Sequence, residues 1–166
     1  MAIRTNLDRV TKAFKEQVDR RLDVVVQETM GLAAFTAQSL SPVFTGRFRD
    51  SWNIAEGAPD TTTAPGAISK KAARGRRKAQ QATAKFIPGP DSAGATGGAS
   101  AARLASDAKD LRAGGVAFLT NSVEYADKVN DGDIKTGRKP TLIVQQVRLL
   151  LPGFVNAAVR KAQGVR

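Results

Sequence analysis

A chain of 166 residues with 42% apolar and 25% charged residues has the size and composition of one globular domain, and an aromatic content of 5% leaves its core to Val, Leu, Ile and Ala. It holds no cysteine and no histidine, which excludes disulfides, thiol nucleophiles, cysteine metal sites and the usual general base at neutral pH. Twenty-six basic against 15 acidic residues, net +11, point to an acidic partner, nucleic acid among them, or to solvated Lys/Arg faces.

The first ten residues are polar and carry no signal-peptide run, and Leu149-Leu150-Leu151 is too short to span a bilayer. An aqueous, reducing compartment is expected. Ile3, Leu7, Val10, Phe14, Val18, Leu22, Val25 and Met30 recur at three- and four-residue steps and continue through Leu32, Phe35, Ala37 and Leu40. That spacing predicts a long amphipathic helix over about 6–39 whose apolar stripe packs on its own domain and on a neighbouring subunit. Ser41-Pro42 ends it, because proline disfavours helical geometry in the residue before it. Thr45-Gly46 supplies a turn in which Gly46 is free to take positive φ.

After the turn, Phe48, Asp50, Trp52 and Ile54 share one parity and Arg47, Arg49, Ser51 and Asn53 the other, the pattern of a half-buried strand with Asp50 as its misfit. From about Ala55 to Ser100 the chain turns to Ala, Gly, Thr, Ser and Pro, which predicts a long flexible insertion arm. Its basic run, Lys70, Lys71, Arg74, Arg76, Arg77 and Lys78, suits DNA or an acidic protein, with no interleaved aromatic for base stacking. Phe86 and Ile87 are its candidate anchors.

Ser100 is the expected cap of a further helix with Leu104 and Leu111 on its stripe, stopped by Gly114-Gly115. Val116–Asn121 reads as a buried strand. A short helical turn follows, ended by Asn130-Asp131-Gly132. Pro140 then opens a second long helix with Ile143, Val147, Leu150, Leu151, Phe154 and Ala158 on one face. Pro152 is expected to kink or split it; Arg160, Lys161 and Arg166 suit its C-terminal dipole. The order is that of one α+β domain over 1–166: long N-terminal helix, small β-sheet, C-terminal helix and insertion arm.

No phosphate-binding, zincin or serine-hydrolase motif occurs. The DKVNDGD stretch places Val129 and Arg138 where a calcium loop needs ligands, so it reads as a capping turn. No catalysis, metal or cofactor is expected.

The block Ser41-Pro42-Val43-x-Thr45-Gly46-x-Phe48-Arg49-x-Ser51 resembles the SPVxTGxLRxS signature of the head–tail joining and tail-completion (neck, minor tail) proteins of tailed bacteriophages, with Phe48 in place of leucine. Gly115–Gly132, with Asn121, Tyr125 and the closing Gly132, resembles the family's second block, and the chain from Pro140 its C-terminal helix; Trp52 follows the first block directly. The resemblance implies a virion structural protein without catalytic residues, present as a homo-oligomeric ring, six-fold with twelve-fold as the alternative. It implies neighbours on the portal or adaptor side and in the tail, non-specific contact with DNA in the lumen, no membrane, and assembly in the host cytoplasm. The alternative function is a nucleic-acid-binding protein that uses the basic arm.

Overall fold

The computed structural model describes residues 2–42, 47–63, 97–134, 137 and 139–164, the side chains of 2–6 and 97 excepted. Among these residues the order is α1 (Ala2–Leu40), α2 (Arg47–Asp50), β1 (Trp52–Glu56), α3 (Gly97–Asp110), β2 (Ala117–Asn121), α4 (Ala126–Asn130) and α5 (Ile143–Gln163). The fold is mostly helical around a small antiparallel sheet. The long N-terminal helix, a small sheet and the C-terminal helix follow one another in the order expected from the sequence.

α1 has 39 residues and is therefore about 58 Å long at ~1.5 Å per residue. Its end is a local event. The Ser41 amide donates to the Gln38 carbonyl at 3.2 Å and its hydroxyl to the Ala37 carbonyl at 2.7 Å. The last turn thus keeps partners for two carbonyls that a helix end leaves open.

Two helices, α3 and α5, lie along α1, and they approach it across small side chains. Ala33, Ala34 and Ala37 are buried, with Val26 and Met30 against the same core. A β-carbon on Gly31 would stand 4.0 Å from that of Ala108, so α3 runs close beside α1. The C-terminal end of α3 is tied down by Gln27, whose amide donates to the carbonyls of Lys109 (2.9 Å) and Leu111 (3.0 Å), and by Asp23, which accepts from the Ala113 amide at 2.7 Å. α5 runs antiparallel to α1: Ile143 at its start shares the core with Ala37 and Trp52, while Lys161 near its end pairs with Glu28. Here too the deeply buried positions include alanines, Ala158 and Ala162.

The sheet has two strands, β1 and β2, with Trp52 opposite Asn121 and Glu56 opposite Ala117. Glycines with positive φ bracket it: Gly57 (79°) follows β1 and Gly114 (94°) precedes β2. The Gly57 amide closes the pair onto the Val116 carbonyl at 2.9 Å.

Six expectations need correction. β2 is half-buried along its length, not a buried strand, and Val116 lies outside it and is exposed. Arg47–Asp50 is a helical turn, not the start of a strand, so Phe48 and Asp50 leave the strand parity; Trp52, Asn53 and Ile54 are buried in succession, because polar groups cover the face opposite the core. Ser100 is not a cap, since α3 starts three residues earlier. The insertion is shorter than 55–100: β1 runs through Glu56, and residues 57–63 are placed. α5 starts at Ile143 rather than at Pro140 and is not split at Pro152. Its first turn is satisfied from a distance, by Asn130 Oδ1 accepting from the Val144 amide at 3.0 Å. Arg160 and Lys161 lie in the last turn, as expected; Arg166 lies outside the described residues.

Candidate functional site

The corner between α1 and β1 is built from residues far apart in sequence. Trp52 is buried, and its Nε1–H donates to Ser41 Oγ at 2.7 Å. That hydroxyl therefore uses its acceptor and its donor at once, tying the end of α1 to the first residue of β1. Phe48 stands edge-on to Trp52 (centroids 6.1 Å, 89°) and stacks on Tyr125 (6.2 Å, 28°). Asn121 Nδ2 donates to the Phe48 carbonyl at 2.7 Å. Ser41, Phe48, Trp52, Asn121 and Tyr125 thus form one constellation.

The remaining motif residues lie around it or apart from it. Ser51 is fully buried and Pro42 half-buried. Arg49 pairs with Asp50 at 3.4 Å. Gly132 has φ 87° in the turn after α4 and takes no part in the corner. Thr45 and Gly46 lie outside the described residues, as do the basic run Lys70, Lys71, Arg74, Arg76, Arg77 and Lys78 and the anchors Phe86 and Ile87.

A second polar group, not anticipated from the sequence, braces the other side of β1. Asp50 Oδ1 accepts from Ser100 Oγ at 2.9 Å, and Ser100 Oγ accepts from Gln38 Nε2 at 2.6 Å. Arg103 clamps the strand backbone: it donates to the carbonyls of Asp50 (3.2 Å) and Trp52 (2.6 Å) and to Asn53 Oδ1 (2.7 Å). The one visible signal was Asp50 itself, a carboxylate on an apolar parity. Arg103 and Asp107, four apart and 3.7 Å from each other, read as an ordinary surface pair.

The loop after β1 is held by its backbone. The Asp60 carbonyl accepts from Thr120 Oγ1 (2.9 Å) and Ser122 Oγ (2.8 Å), and Asp60 Oδ1 accepts from the Thr62 amide at 2.8 Å. The Thr62 amide, and then its hydroxyl, hold the Asp60 carboxyl below the ordinary aspartate range; slight burial opposes this, and Arg103 adds a little. These groups satisfy one another, so the chemistry they perform is positioning. Among the described residues no group of three or more His, Cys, Asp or Glu is placed to hold a metal ion.

The outer surface of α1 is the second candidate. Leu7 and Val10 are each 66% exposed, Phe14 65% and Phe35 64%. At about 100° per residue, the stripe Leu7–Val10–Phe14–Val18 is centred roughly 140° around the helix from the core face Val26–Met30–Ala33–Ala34–Ala37. The stripe is real, but in its first half it faces away from the protein's own core. Beside the second half, an open groove of about 630 Å³ runs between α1 and α3, floored by Gly31, Leu32, Leu104, Ala105 and Ala108 with Phe35 along it. α5 repeats the pattern, with Leu149 81% exposed while Ala158 is buried.

Comparison with protein-family models, curated proteins and solved structures finds no match to this chain. Among the described residues no helix is long and apolar enough to cross a membrane.

Proposed function

We propose that this chain is a virion structural protein of a tailed bacteriophage, a ring-forming subunit of the neck that joins head to tail and completes the tail. The observation that carries this reading is the meeting of the two blocks on which the resemblance rests. Phe48 of the first block touches Tyr125 and Asn121 of the second, 73 positions apart in the case of Phe48 and Asn121. The signature residues thus set the angle between a long helix and a sheet, which is the work of a part that must hold its shape in an assembly. Apolar side chains as large as Phe14, Phe35 and Leu149 turned outward add support, since exposed apolar surface of this kind marks contact with other chains.

In this reading the partners are further copies of the chain, portal- or adaptor-side proteins and tail proteins, and no substrate is turned over. The test is genetic. A phage unable to make the chain should accumulate DNA-filled heads and separate tails, and a tagged copy should be seen at the head–tail junction by electron microscopy. Joined, infectious particles made without the chain would end the proposal.

A further inference from the structure

We infer that Pro152 and Gly153 form a hinge, and that the second half of α5, Phe154 to Gln163, is a strap that lifts from α1 as a unit while the first half stays in place. The inference does not rest on the neck reading.

The two halves of α5 are held differently. In the first, Ile143 is fully buried and Val147, one turn on, packs against the core. The Val144 amide donates to Asn130 Oδ1 at 3.0 Å and the Leu142 amide to the Asn130 carbonyl at 2.9 Å. This half is thus anchored in the core and tied to α4. The second half buries only Ala158 and Ala162, with Phe154 half-buried, while Val155 and Val159 stay exposed. Those two alanines, like Ala33 of α1, are buried apart from the main core. The seam between this half and α1 is therefore one of small side chains, and small side chains remove little apolar area from water. Its ion pair, Lys161 with Glu28, has side chains 61% and 35% exposed, and a pair so open to water contributes little.

Between the halves the helix is weakened at two adjacent positions. Pro152 has no amide to give the Arg148 carbonyl, and glycine is the poorest helix former after proline. Packing explains neither residue. Both are exposed, and a β-carbon on Gly153 would meet nothing within 4 Å. A glycine that no neighbour requires contributes backbone freedom alone, and proline and glycine are the residues at which helices bend.

The closed position is itself incompletely satisfied. Gly31 faces α3 across Ala108; Thr29 and Ala33 each point about 160° away from it around α1, on the side of the alanine seam. The Thr29 hydroxyl is buried and has no hydrogen-bond partner among the described residues. A buried hydroxyl without a partner opposes closure, and water satisfies it once the strap lifts. Such an opening breaks few contacts and leaves the core closed, which places it well below global unfolding in free energy. It uncovers Thr29 and Ala33, so α1 offers other molecules one surface with the strap down and another with it lifted.

The test is native-state hydrogen exchange of the full chain, read by NMR. In a continuous helix the amides of residues 157–162 bond to carbonyls from Gly153 onward, and those of 147–151 to carbonyls before Pro152. Corrected for intrinsic rates, the first set should exchange with one shared rate, at least tenfold faster than the second, while the emission of buried Trp52 stays unchanged. Pro152→Ala with Gly153→Ala, both at exposed positions, should slow the first set at least tenfold and bring its protection to that of the second. A thiol gives an independent reading, since the chain has no cysteine of its own. Ala158→Cys should react with a thiol reagent in the native state at least tenfold faster than Ala37→Cys in the main core, and the hinge substitutions should remove that difference. If Ala158→Cys fails to fold, the exchange of the parent chain still decides. Rates that climb smoothly towards Gln163 are ordinary fraying of a helix end and overturn the inference. So do equal protection in the two sets, or fast exchange that the hinge substitutions leave unchanged. Each of these outcomes leaves the neck reading to its own genetic test.

Discussion

Ser41 carries more of the corner than its size suggests, because its hydroxyl is the partner of a buried indole N–H. Ser41→Ala strands that donor, and a buried donor left without a partner costs about 1–3 kcal/mol. Urea unfolding followed by far-ultraviolet circular dichroism, which reads both backgrounds, should show a loss of that size. In a Trp52→Phe background there is no donor to strand, so Ser41→Ala should cost markedly less; equal costs in both backgrounds would show that the bond does not matter. Asp60 makes a second residue-scale prediction. Its carboxyl is held low by the Thr62 amide, so the folded state binds a proton there less readily than the unfolded chain. The stabilisation is fully present above the unfolded pKa, ~4, and is lost as pH falls through the depressed folded value. NMR titration should find the Asp60 carboxyl changing charge below the ordinary aspartate range, and Asp60→Asn should flatten the acid limb of the stability curve.

At the scale of elements, periodicity located the helices but size misjudged their faces. The stripe expected along α1 does not keep one face to the core: Leu7, Val10, Phe14 and Phe35 are exposed, while Ala37 of the stripe is buried together with Ala33 and Ala34. The cause is close approach: α3 crosses beside Gly31 and Ala108, where larger side chains would hold the helices apart. The strand after the corner starts at Trp52, four residues later than the parity from Phe48 suggests, since Phe48 and Asp50 match strand parity by coincidence inside a single helical turn. The polar brace of Asp50, Ser100, Gln38 and Arg103 is hidden in the sequence because its bonded members lie up to 62 positions apart and each has an ordinary local explanation. Pro152 sits on an exposed side of α5 with the helix continuous through it. It can give no amide to the Arg148 carbonyl, and a proline in a helix interior costs ~3 kcal/mol relative to alanine. Pro152→Ala should therefore raise the urea midpoint, by about 1–3 kcal/mol in stability once solvation of that carbonyl is allowed for. A fall in stability would mean that packing on α1 requires a bend at this point.

The whole molecule depends on how the two ends of the insertion are fixed, and both are fixed at Asn53. Its Nδ2 donates to the Thr62 carbonyl at 2.7 Å, and its Oδ1 accepts from Arg103 at 2.7 Å. α3 begins six residues before Arg103, a rise of about 9 Å. Chain entering the insertion and chain leaving it are therefore within easy reach of a short linker; eight Gly/Ser residues span ~16 Å on average. Any cut must start beyond Thr63, because Thr62 and Asp60 are anchors and a deletion beginning at Thr61 removes one of them. Replacing residues 64–96 by such a linker shortens the closed loop about fourfold, which by loop entropy alone favours folding by ~1 kcal/mol. The variant should show the parent's Trp52 emission and an unfolding midpoint equal to or above the parent's. Loss of the fold would place the insertion within the core. If the insertion serves assembly instead, the same well-folded variant should fail to complement a phage lacking the chain. Full complementation by it would leave any assembly contacts to α1, α5 and the corner between α1 and β1.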